Sequence, residues 1–414
     1  MQDWIIMGEW LEFAVRWLHV ITAIAWIGSS FYFIALDLGL HRDRRLESGA
    51  DGEQWQVHGG GFYHIQKYLV APERMPDDLV WFKWESYSTW LSGFALLVLV
   101  YYLGADLYLI DPQVRALAPW QAIAISLASL AAGWVLYDRL CRSRLGHHPT
   151  ALMVVLYVIL VALAWFYTQV FSGRAALLHL GAVTATIMSA NVFMVIIPNQ
   201  KIVVADLIAG RRPDPEYGRI AKLRSTHNNY LTLPVIFMML SNHYPLAFAT
   251  EYNWIIASLV FLMGVTIRHW FNTRHARKGS PTWTWFVTAL LFLALIWLST
   301  ALLRGSGDDS AAIPGSALRF AAAPQFEDVE SIVLGRCSMC HAAEPVQEGF
   351  VAPPRGVMLD TPARIAIHAR EIYLQAGVTH AMPPANISFI EPEERALIRD
   401  WYRAAIARDS AGGA

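Results

Sequence analysis

Cysteine is scarce in this sequence. Among its 414 residues there are 3 cysteines, and two of them lie in the run 337–341, which reads Cys-Ser-Met-Cys-His. The third, Cys141, is far upstream. A structural zinc site takes four ligands, usually with a second pair of Cys or His at similar spacing. Because His368 and His380 do not have that spacing, the sequence argues against a zinc site at this run.

The same run has the C-x-x-C-H spacing at which a c-type haem is attached. Cys337 and Cys340 would bond to the two vinyl groups of one haem, and His341 would bind its iron. Met382 lies further downstream, where class I cytochromes c place the second axial ligand. A His/Met pair raises the reduction potential and closes both axial positions, which favours electron transfer over oxygen binding. The sequence therefore predicts one covalent haem c with His341 and Met382 as the metal ligands.

Helical patterns surround these ligands, as a small cytochrome c domain requires. They lie at 327–336, 362–376 and 391–407. We expect the carbonyl of Pro353 or Pro354 to accept a hydrogen bond from the second ring nitrogen of His341 and so orient the ring. Because bacteria attach haem c outside the cytoplasm, the domain is predicted to be periplasmic.

Charged residues are also few, at 16% of the chain, whereas hydrophobic residues make up 55%. This composition is too apolar for a soluble protein of this size. We predict an all-α fold in which residues 1–303 form a polytopic eight-helix transmembrane bundle, 304–325 a linker and 326–414 a small class I cytochrome c domain. The windows long enough to span a bilayer are 10–38, 86–104, 119–138, 150–171, 175–198, 228–249, 253–271 and 281–303.

Basic residues are scarce in every second loop between these windows. The loops after the second, fourth and sixth windows contain only Arg115 and Arg174, whereas the other loops contain 18 lysines and arginines. Positive charge is retained in the cytoplasm. We therefore predict a multi-pass protein of the bacterial inner membrane with its N-terminus and cytochrome domain in the periplasm. The first ten residues contain no basic residue, so no cleaved signal peptide is expected. No nucleic-acid signature is present, and the partner surface is the lipid bilayer.

Two histidines, His19 and His179, lie within predicted spans. Ionisable groups inside a membrane are costly and are often functional. One interpretation is that both bind a haem b inside the bundle. The other is that each hydrogen-bonds a neighbouring helix. When the two histidines are aligned, Ala25 also matches Ala185, which indicates a candidate repeat of two four-helix halves.

Two cytoplasmic loops have the composition of a ligand site. The segment 58–67 contains three consecutive glycines, which allow close approach of the backbone to a ligand. His64 or His227 is a candidate general base. The alternative for the second loop is that its polar residues cap a helix. The other candidates for binding a polar heterocycle are Lys67, Arg224, Asn228 and Asn229.

Four segments carry a family resemblance, together with the eight windows and the haem motif. They are 59–63 (GGGFY), 81–90 (WFKWESYSTW), 197–200 (IPNQ) and 225–230 (STHNNY). The chain resembles the bacterial membrane-bound urate oxidases with a fused cytochrome c. This resemblance implies oxidation of urate to 5-hydroxyisourate. Electrons would leave through haem c to a soluble cytochrome c or a terminal oxidase, and not directly to oxygen.

The predicted topology leaves the urate site undecided. If urate binds at the cytoplasmic loops, the haem lies across a hydrocarbon core about 30 Å thick, which is too far for one efficient electron transfer. Either an intermediate cofactor such as haem b lies between them, or urate binds in the outer half of the bundle. In the second case His243, in an outer loop, becomes a candidate site residue.

Other functions compete with urate oxidation. One alternative is a quinol:cytochrome c oxidoreductase, in which the bundle takes electrons from quinol. Another is a transporter or membrane anchor with an electron-carrying tail. The segment around His19 also resembles small haem-binding four-helix proteins. An oxygen reductase is disfavoured because the spans contain no cluster of six histidines to hold two haems and copper.

Overall fold

The fold was analysed in a computed structural model. It describes residues 2–42, 46–68, 76, 78–111, 114–248, 250, 252–301, 313, 315–347, 350 and 353–411. Each of the eight apolar windows lies largely on helical residues. The helices of this part are α1 (Gln2–Gly39), α2 (Trp84–Leu96), α3 (Pro119–Arg142), α4 (Pro149–Thr168), α5 (Gly173–Ala190), α6 (Ile197–Ile208), α7 (Pro215–Ser241), α8 (Pro245–Phe248), α9 (Asn253–His275) and α10 (Trp283–Ala301).

Three of these helices contain or adjoin wider π-helical turns. The helix α2 continues through Leu97–Tyr102, and a further π turn follows at Ala105–Leu109. The turn Asn191–Ile196 joins α5 to α6, so that the two form one long helix. Turns of this kind are frequent at functional sites.

Among the described residues, five helices are long and apolar enough to cross a membrane. This finding is compatible with a membrane protein. The helix in the window 281–303 is apolar but shorter than these five. The helices α2 and α7 are not among the five. The crossing of the membrane by all eight windows therefore stays a prediction. The five helices are Ile6–Gly39, Pro119–Arg142, Pro149–Thr168, Gly173–Ile208 and Asn253–His275.

A β-hairpin interrupts the helical architecture, so the all-α prediction was wrong for residues 50–68. Strand β1 (Ala50–His58) pairs with the antiparallel strand β2 (Gly61–Tyr68). Gly59 and Gly60 form the connection with φ of 58° and 80°. A tight hairpin turn of type I′ needs positive φ at both central residues, which glycine adopts readily. Two of the three glycines thus serve the turn of the hairpin.

The bundle is built around α5. In the span Gly173–Ile208, 67% of the most apolar window is buried, whereas 0% is buried in the span Ile6–Gly39. Small residues allow the close packing, because a Cβ added at Gly181 would lie 2.8 Å from the Cβ of Met238 on α7. The two spans aligned in the candidate repeat therefore occupy different environments, one central and one peripheral.

A second hydrophobic core lies in the C-terminal part. Phe320, Val329, Ile365 and Trp401 are all buried in it. Its helices are α11 (Gly315–Ala321), α12 (Phe326–Arg336), α13 (Ser338–His341), α14 (Pro362–Ile367), α15 (Ala369–Ile372) and α16 (Pro392–Ala411), with a π turn at Tyr373–Val378 and short 3₁₀ turns at Pro354–Gly356 and Pro384–Asn386.

This C-terminal unit begins earlier than the predicted residue 326. The indole Nε1 of Trp401 donates a hydrogen bond to the carbonyl of Phe320 at 2.9 Å, which anchors α11 to α16. The helix α11 lies inside the predicted linker 304–325, of which residues 304–312 and 314 lie outside the described residues. The apolar side chains of α11, such as Ala317 and Phe320, complete the second core. This part of the predicted linker is therefore a packed helix.

Candidate functional site

The run 337–341 lies where α12 passes into α13. The amide of Cys337 donates to the carbonyl of Val333 at 2.8 Å, and the amide of Cys340 donates to the carbonyl of Cys337 at 3.2 Å. Both thiols are free. Burial raises the pKa of the Cys337 thiol to about 12. The turn therefore holds two neutral, unpaired thiols one helical turn apart.

The ring of His341 is oriented by a backbone carbonyl, but not by the predicted one. Its Nδ1 donates to the carbonyl of Val357 at 2.9 Å, which leaves Nε2 for a metal. The carbonyls of Pro353 and Pro354 instead accept from the amides of Gly356 and Val357, at 2.9 and 3.2 Å. The short 3₁₀ turn at these prolines thus uses their carbonyls and presents the next one to His341.

The main chain of Met382 is held from both sides. Its amide donates to the carbonyl of Gln375 at 2.9 Å, and Arg395 donates to its carbonyl, also at 2.9 Å. The side chain is 37% exposed. Two thiols, one imidazole with an anchored Nδ1 and one accessible thioether match the donor set of haem c. In the described part of the chain, no group of three or more His, Cys, Asp or Glu residues is placed to hold a metal ion.

The histidines considered for haem b contact different helices. Nδ1 of His179 donates to Ala175 O and its Nε2 accepts from the Ser126 hydroxyl, both at 2.8 Å. His179 is 0% exposed. Nδ1 of His19 lies 3.0 Å from Thr89 O. A Cβ on Gly93 would lie 2.8 Å from the His19 ring. Since both nitrogens of His179 have partners, that residue does not fit a haem ligand, and the geometry matches the alternative of hydrogen bonds to neighbouring helix atoms.

The segment 224–230 lies inside α7 and not at its start. The side chain of Asp214 caps the helix by accepting from the amide of Glu216 at 2.9 Å, and Pro215 is the first helical residue. His227 is therefore more than three turns into the helix. The expectation that the polar residues of this segment cap the helix was wrong. The Asp-Pro pair was the signal for the true start.

Arg224 and His227 belong to a buried polar network. Arg224 donates to the carboxylate of Asp138 at 2.6 Å and to the amide oxygen of Asn191 at 3.1 Å. The ring Nδ1 of His227 lies 2.8 Å from the hydroxyl of Tyr137. Arg224 and His227 are 2% and 1% exposed. The charge of Arg224 is already neutralised by Asp138, so it is a poor partner for a substrate anion.

The two neighbouring asparagines join the same packing. Asn228 donates to the carbonyl of Met188 at 2.9 Å. Asn229 accepts from Arg268 at 3.3 Å and from Asn272 at 2.9 Å. Arg268, on α9, is 5% exposed and lies 3.9 Å from the ring centroid of Phe31. Three buried atoms of this network have no partner among the described residues, namely Arg224 Nε, His227 Nε2 and Asn229 Nδ2.

His64 and Lys67 lie on the hairpin. The His64 ring stacks on Trp55 at 4.2 Å, and its Nε2 lies 2.7 Å from the carboxylate of Glu53. Lys67 forms an ion pair with Asp37 at the end of α1. In the described residues, the contacts of His64 and Lys67 are with the hairpin and α1, whereas those of His227 are with α3. The structure therefore does not gather the predicted base and cation into one site.

A cavity of about 870 Å³ lies where the bundle meets the C-terminal unit. We call it the domain-end cavity, and we call the opposite end of the bundle the hairpin end. The cavity volume is within the range of small-molecule sites. Its lining includes Glu12, Arg16, Tyr101, Tyr108, Arg174 and His243 from the bundle, with Val357, Ile367, His368 and Glu371 from the C-terminal unit.

Direct contacts join the two walls of this cavity. The hydroxyl of Tyr108 donates to Glu371 at 2.8 Å, and Arg370 forms an ion pair with Glu9 beside the cavity. Val357 lines the cavity, and its carbonyl accepts the hydrogen bond from His341. The cavity wall thus touches the predicted haem ligand.

Two arginines in the cavity differ in their pairing. Arg16 forms an ion pair with Glu12 at 2.5 Å. Arg174 has no carboxylate partner among the described residues, and its guanidinium lies 5.4 Å from the ring centroid of Phe248. Because Arg174 is not neutralised, it is available to pair with an anion.

Residues 5–299 match the family model described as Urate oxidase N-terminal. The chain belongs to the urate oxidase N-terminal family. Membership in this family confirms the predicted resemblance at the level of a urate-related oxidoreductase. The matched residues cover α1 to α10 and end before the haem motif. No curated protein and no solved structure matched the chain.

Sequence reasoning about this urate oxidase family member missed most of the domain-end cavity. Tyr108, Arg174, His368 and Glu371 were not predicted as site residues, and they come from distant parts of the chain. One signal existed for Arg174, which is one of only two basic residues in the predicted outer loops.

Proposed function

We propose that this protein is a membrane-bound enzyme that oxidises urate to 5-hydroxyisourate and passes the electrons to haem c. The haem is attached at Cys337 and Cys340, with His341 and Met382 as iron ligands. The bundle lies in the bacterial inner membrane with the N-terminus and C-terminal unit in the periplasm, and a soluble cytochrome c or terminal oxidase accepts the electrons. Family membership, the apolar helices and the donor set at the C-x-x-C-H motif support this proposal.

One observation carries the assignment of the site. The domain-end cavity is lined by Val357, whose carbonyl accepts the hydrogen bond from His341. A substrate in this cavity lies on the same side of the bundle as the haem. A substrate at the hairpin end would instead be separated from it by a hydrocarbon core of about 30 Å. We therefore place urate in the domain-end cavity.

The charges of the cavity suit this substrate. Urate is flat and carries one negative charge at neutral pH. Urate and one water give neutral 5-hydroxyisourate, two electrons and one proton. Arg174 pairs with the anion, and Tyr101 and Tyr108 line the same cavity wall. The hydroxyl of Tyr108 donates to Glu371 and keeps lone pairs that accept from an N–H group of urate. Haem c supplies a one-electron acceptor, so the two electrons of each turnover leave one at a time.

The test is anaerobic. Membranes that contain the oxidised protein are mixed with urate, and the haem c absorption band is followed. We expect rapid reduction, which is absent in His341→Ala. Reduction by a quinol analogue but not by urate would overturn the proposal and favour a quinol:cytochrome c oxidoreductase. A lack of response to either, with normal reduction by dithionite, would favour a membrane anchor or transporter.

A further inference from the structure

We infer that the C-terminal unit supplies part of the urate-binding wall through Glu371 and His368, so that the substrate site is complete only when this unit is docked on the bundle. The inference rests on the proposed function. It assigns the unit a role in substrate recognition in addition to electron transfer.

The geometry joins both residues to the cavity. His368 directly follows α14 and Glu371 lies on α15, and both line the domain-end cavity. One carboxylate oxygen of Glu371 accepts from Tyr108 of the bundle at 2.8 Å. The other lies 3.9 Å from Nδ1 of His368. Glu371 is thus held between the two halves of the molecule at the cavity surface.

The accessibility of the two side chains allows contact with a ligand. The side chains of His368 and Glu371 are 25% and 35% exposed. A carboxylate has about four lone-pair sites for hydrogen bonds, and the contact with Tyr108 uses one of them. The remaining acceptor capacity of Glu371 faces a ligand that has N–H donors.

The cavity wall has a cation on the bundle side and a carboxylate on the side of the C-terminal unit. These two charges complement the hydrogen-bond acceptors and the N–H donors of urate. Arg174, in the bundle, is the cation without a carboxylate partner among the described residues, and Glu371 is the carboxylate of the C-terminal unit. Urate has carbonyl and anionic positions that accept hydrogen bonds, and N–H groups that donate them. Arg174 binds the accepting edge, while Glu371 and His368 bind an N–H edge. Loss of a donor from that edge leaves a buried acceptor unpaired, which is how such sites reject analogues.

The experiment uses the full chain and two substitutions that preserve shape, Glu371→Gln and His368→Gln. Urate-driven haem reduction is measured over a range of urate concentrations and with a panel of N-monomethylated urates. We expect each variant to raise KM for urate at least tenfold. We also expect the wild type to reject at least one methylated urate, and Glu371→Gln to reduce that rejection.

Two controls separate substrate binding from docking and from haem chemistry. Arg370→Gln removes the ion pair with Glu9 but no side chain that lines the cavity, and His380→Gln changes an exposed histidine of the same unit. We expect both to keep the wild-type KM. The haem spectrum, the midpoint potential and reduction by ascorbate are measured for every variant, and we expect them to remain those of the wild type in Glu371→Gln.

The outcomes distinguish the two proposals. If the wild type shows no urate-driven reduction, the proposed function fails. If the wild type is active but Glu371→Gln and His368→Gln keep its KM and its discrimination among methylated urates, the shared binding wall is refuted. If Glu371→Gln and Arg370→Gln raise KM equally and both keep the wild-type discrimination among methylated urates, Glu371 acts in docking alone and the shared binding wall is refuted.

Discussion

The two ends of the bundle handle charge differently. At the domain end, a cavity of about 870 Å³ has both arginines and carboxylates in its wall, and Arg174 is unpaired among the described residues. At the hairpin end, a cavity of about 330 Å³ is lined by Arg274, His275 and Arg277 and by no carboxylate. Basic residues at that end are expected from topology alone. The domain end thus combines charges of both signs next to the predicted haem ligand His341, whereas the cavity at the hairpin end combines basic residues with no such motif nearby.

A buried polar network lies near the hairpin end of the bundle, outside both cavities. Arg224, His227 and Asn228 have partners on α3 and α5, and neither cavity includes them in its lining. The ion pair of Arg224 with Asp138 and the hydrogen bond from Asn228 to Met188 indicate a structural role, whereas Nε2 of His227 has no partner among the described residues. The following predictions separate a structural polar network from a substrate-binding surface.

The largest expected effect is a loss of thermal stability in the variant Arg224→Gln. The substitution leaves Asp138 partly buried without its inner cation, and breaking a buried ion pair typically costs about 3–5 kcal/mol. The thermal stability of the purified protein in detergent measures this. Arg142 also pairs with Asp138, at 2.7 Å, but its side chain is 69% exposed. Arg142→Gln is therefore the matched control, with an expected loss below about 1 kcal/mol. Equal stability of the two variants would contradict the structural assignment of Arg224.

Arg174→Gln should instead lower activity and leave stability nearly unchanged. Loss of a charge-assisted hydrogen bond of about 1.5–3 kcal/mol corresponds to roughly a 10- to 100-fold decrease in kcat/KM. The rate of urate-driven haem reduction measures it. Arg115→Gln changes the other basic residue of the predicted outer loops and should have no effect, and the same is expected for His64→Gln on the hairpin. If His64→Gln has the larger effect, urate binds at the hairpin end.

Met382→Ala should alter the haem more than the substrate site. Loss of the thioether ligand lowers the reduction potential and changes the absorption spectrum. A redox titration of the full-length protein tests this. Met358→Ala, in the same unit, should keep both properties. An unchanged spectrum and potential in Met382→Ala would exclude Met382 as the axial ligand.

The smallest effect concerns acid stability of the C-terminal unit. Burial opposes the ionised form of Asp360, but hydrogen bonds from Arg364 and from the amide of Ala343 hold its pKa below the usual range. Such a carboxylate stabilises the fold above its usual pKa of about 4, and this contribution is lost as the pH falls through the lower folded-state pKa.

Asp360→Asn should therefore lower thermal stability at pH 7, and the difference from the wild type should shrink as the pH decreases towards 3. Thermal unfolding of the full chain at several pH values measures this, with the exposed Asp400→Asn as the control. A difference between wild type and Asp360→Asn that grows in acid would contradict the assigned direction of the pKa.

Local features of this molecule were predictable and non-local ones were not. The spacing of Cys337, Cys340 and His341 is contained in five consecutive residues, and the apolar windows coincide with helices because hydrophobicity acts over one helix length. The hairpin was missed although Gly59-Gly60 is a strong turn signal. The start of α7 was missed because apolar content was weighed above the Asp214-Pro215 cap.

By itself, the sequence determined the helices of the bundle and the family, and it predicted the attachment of a haem at Cys337 and Cys340. Each of these depends on residue type and short spacing, which tertiary packing does not alter. Only the tertiary structure decided which charged groups are neutralised and which face a cavity. Arg224 and Arg174 are the same residue type, yet one is paired inside the bundle and the other lines a cavity that the C-terminal unit helps to form. That difference arises from helices and domains far apart in sequence, because packing places a carboxylate next to one guanidinium and a cavity next to the other.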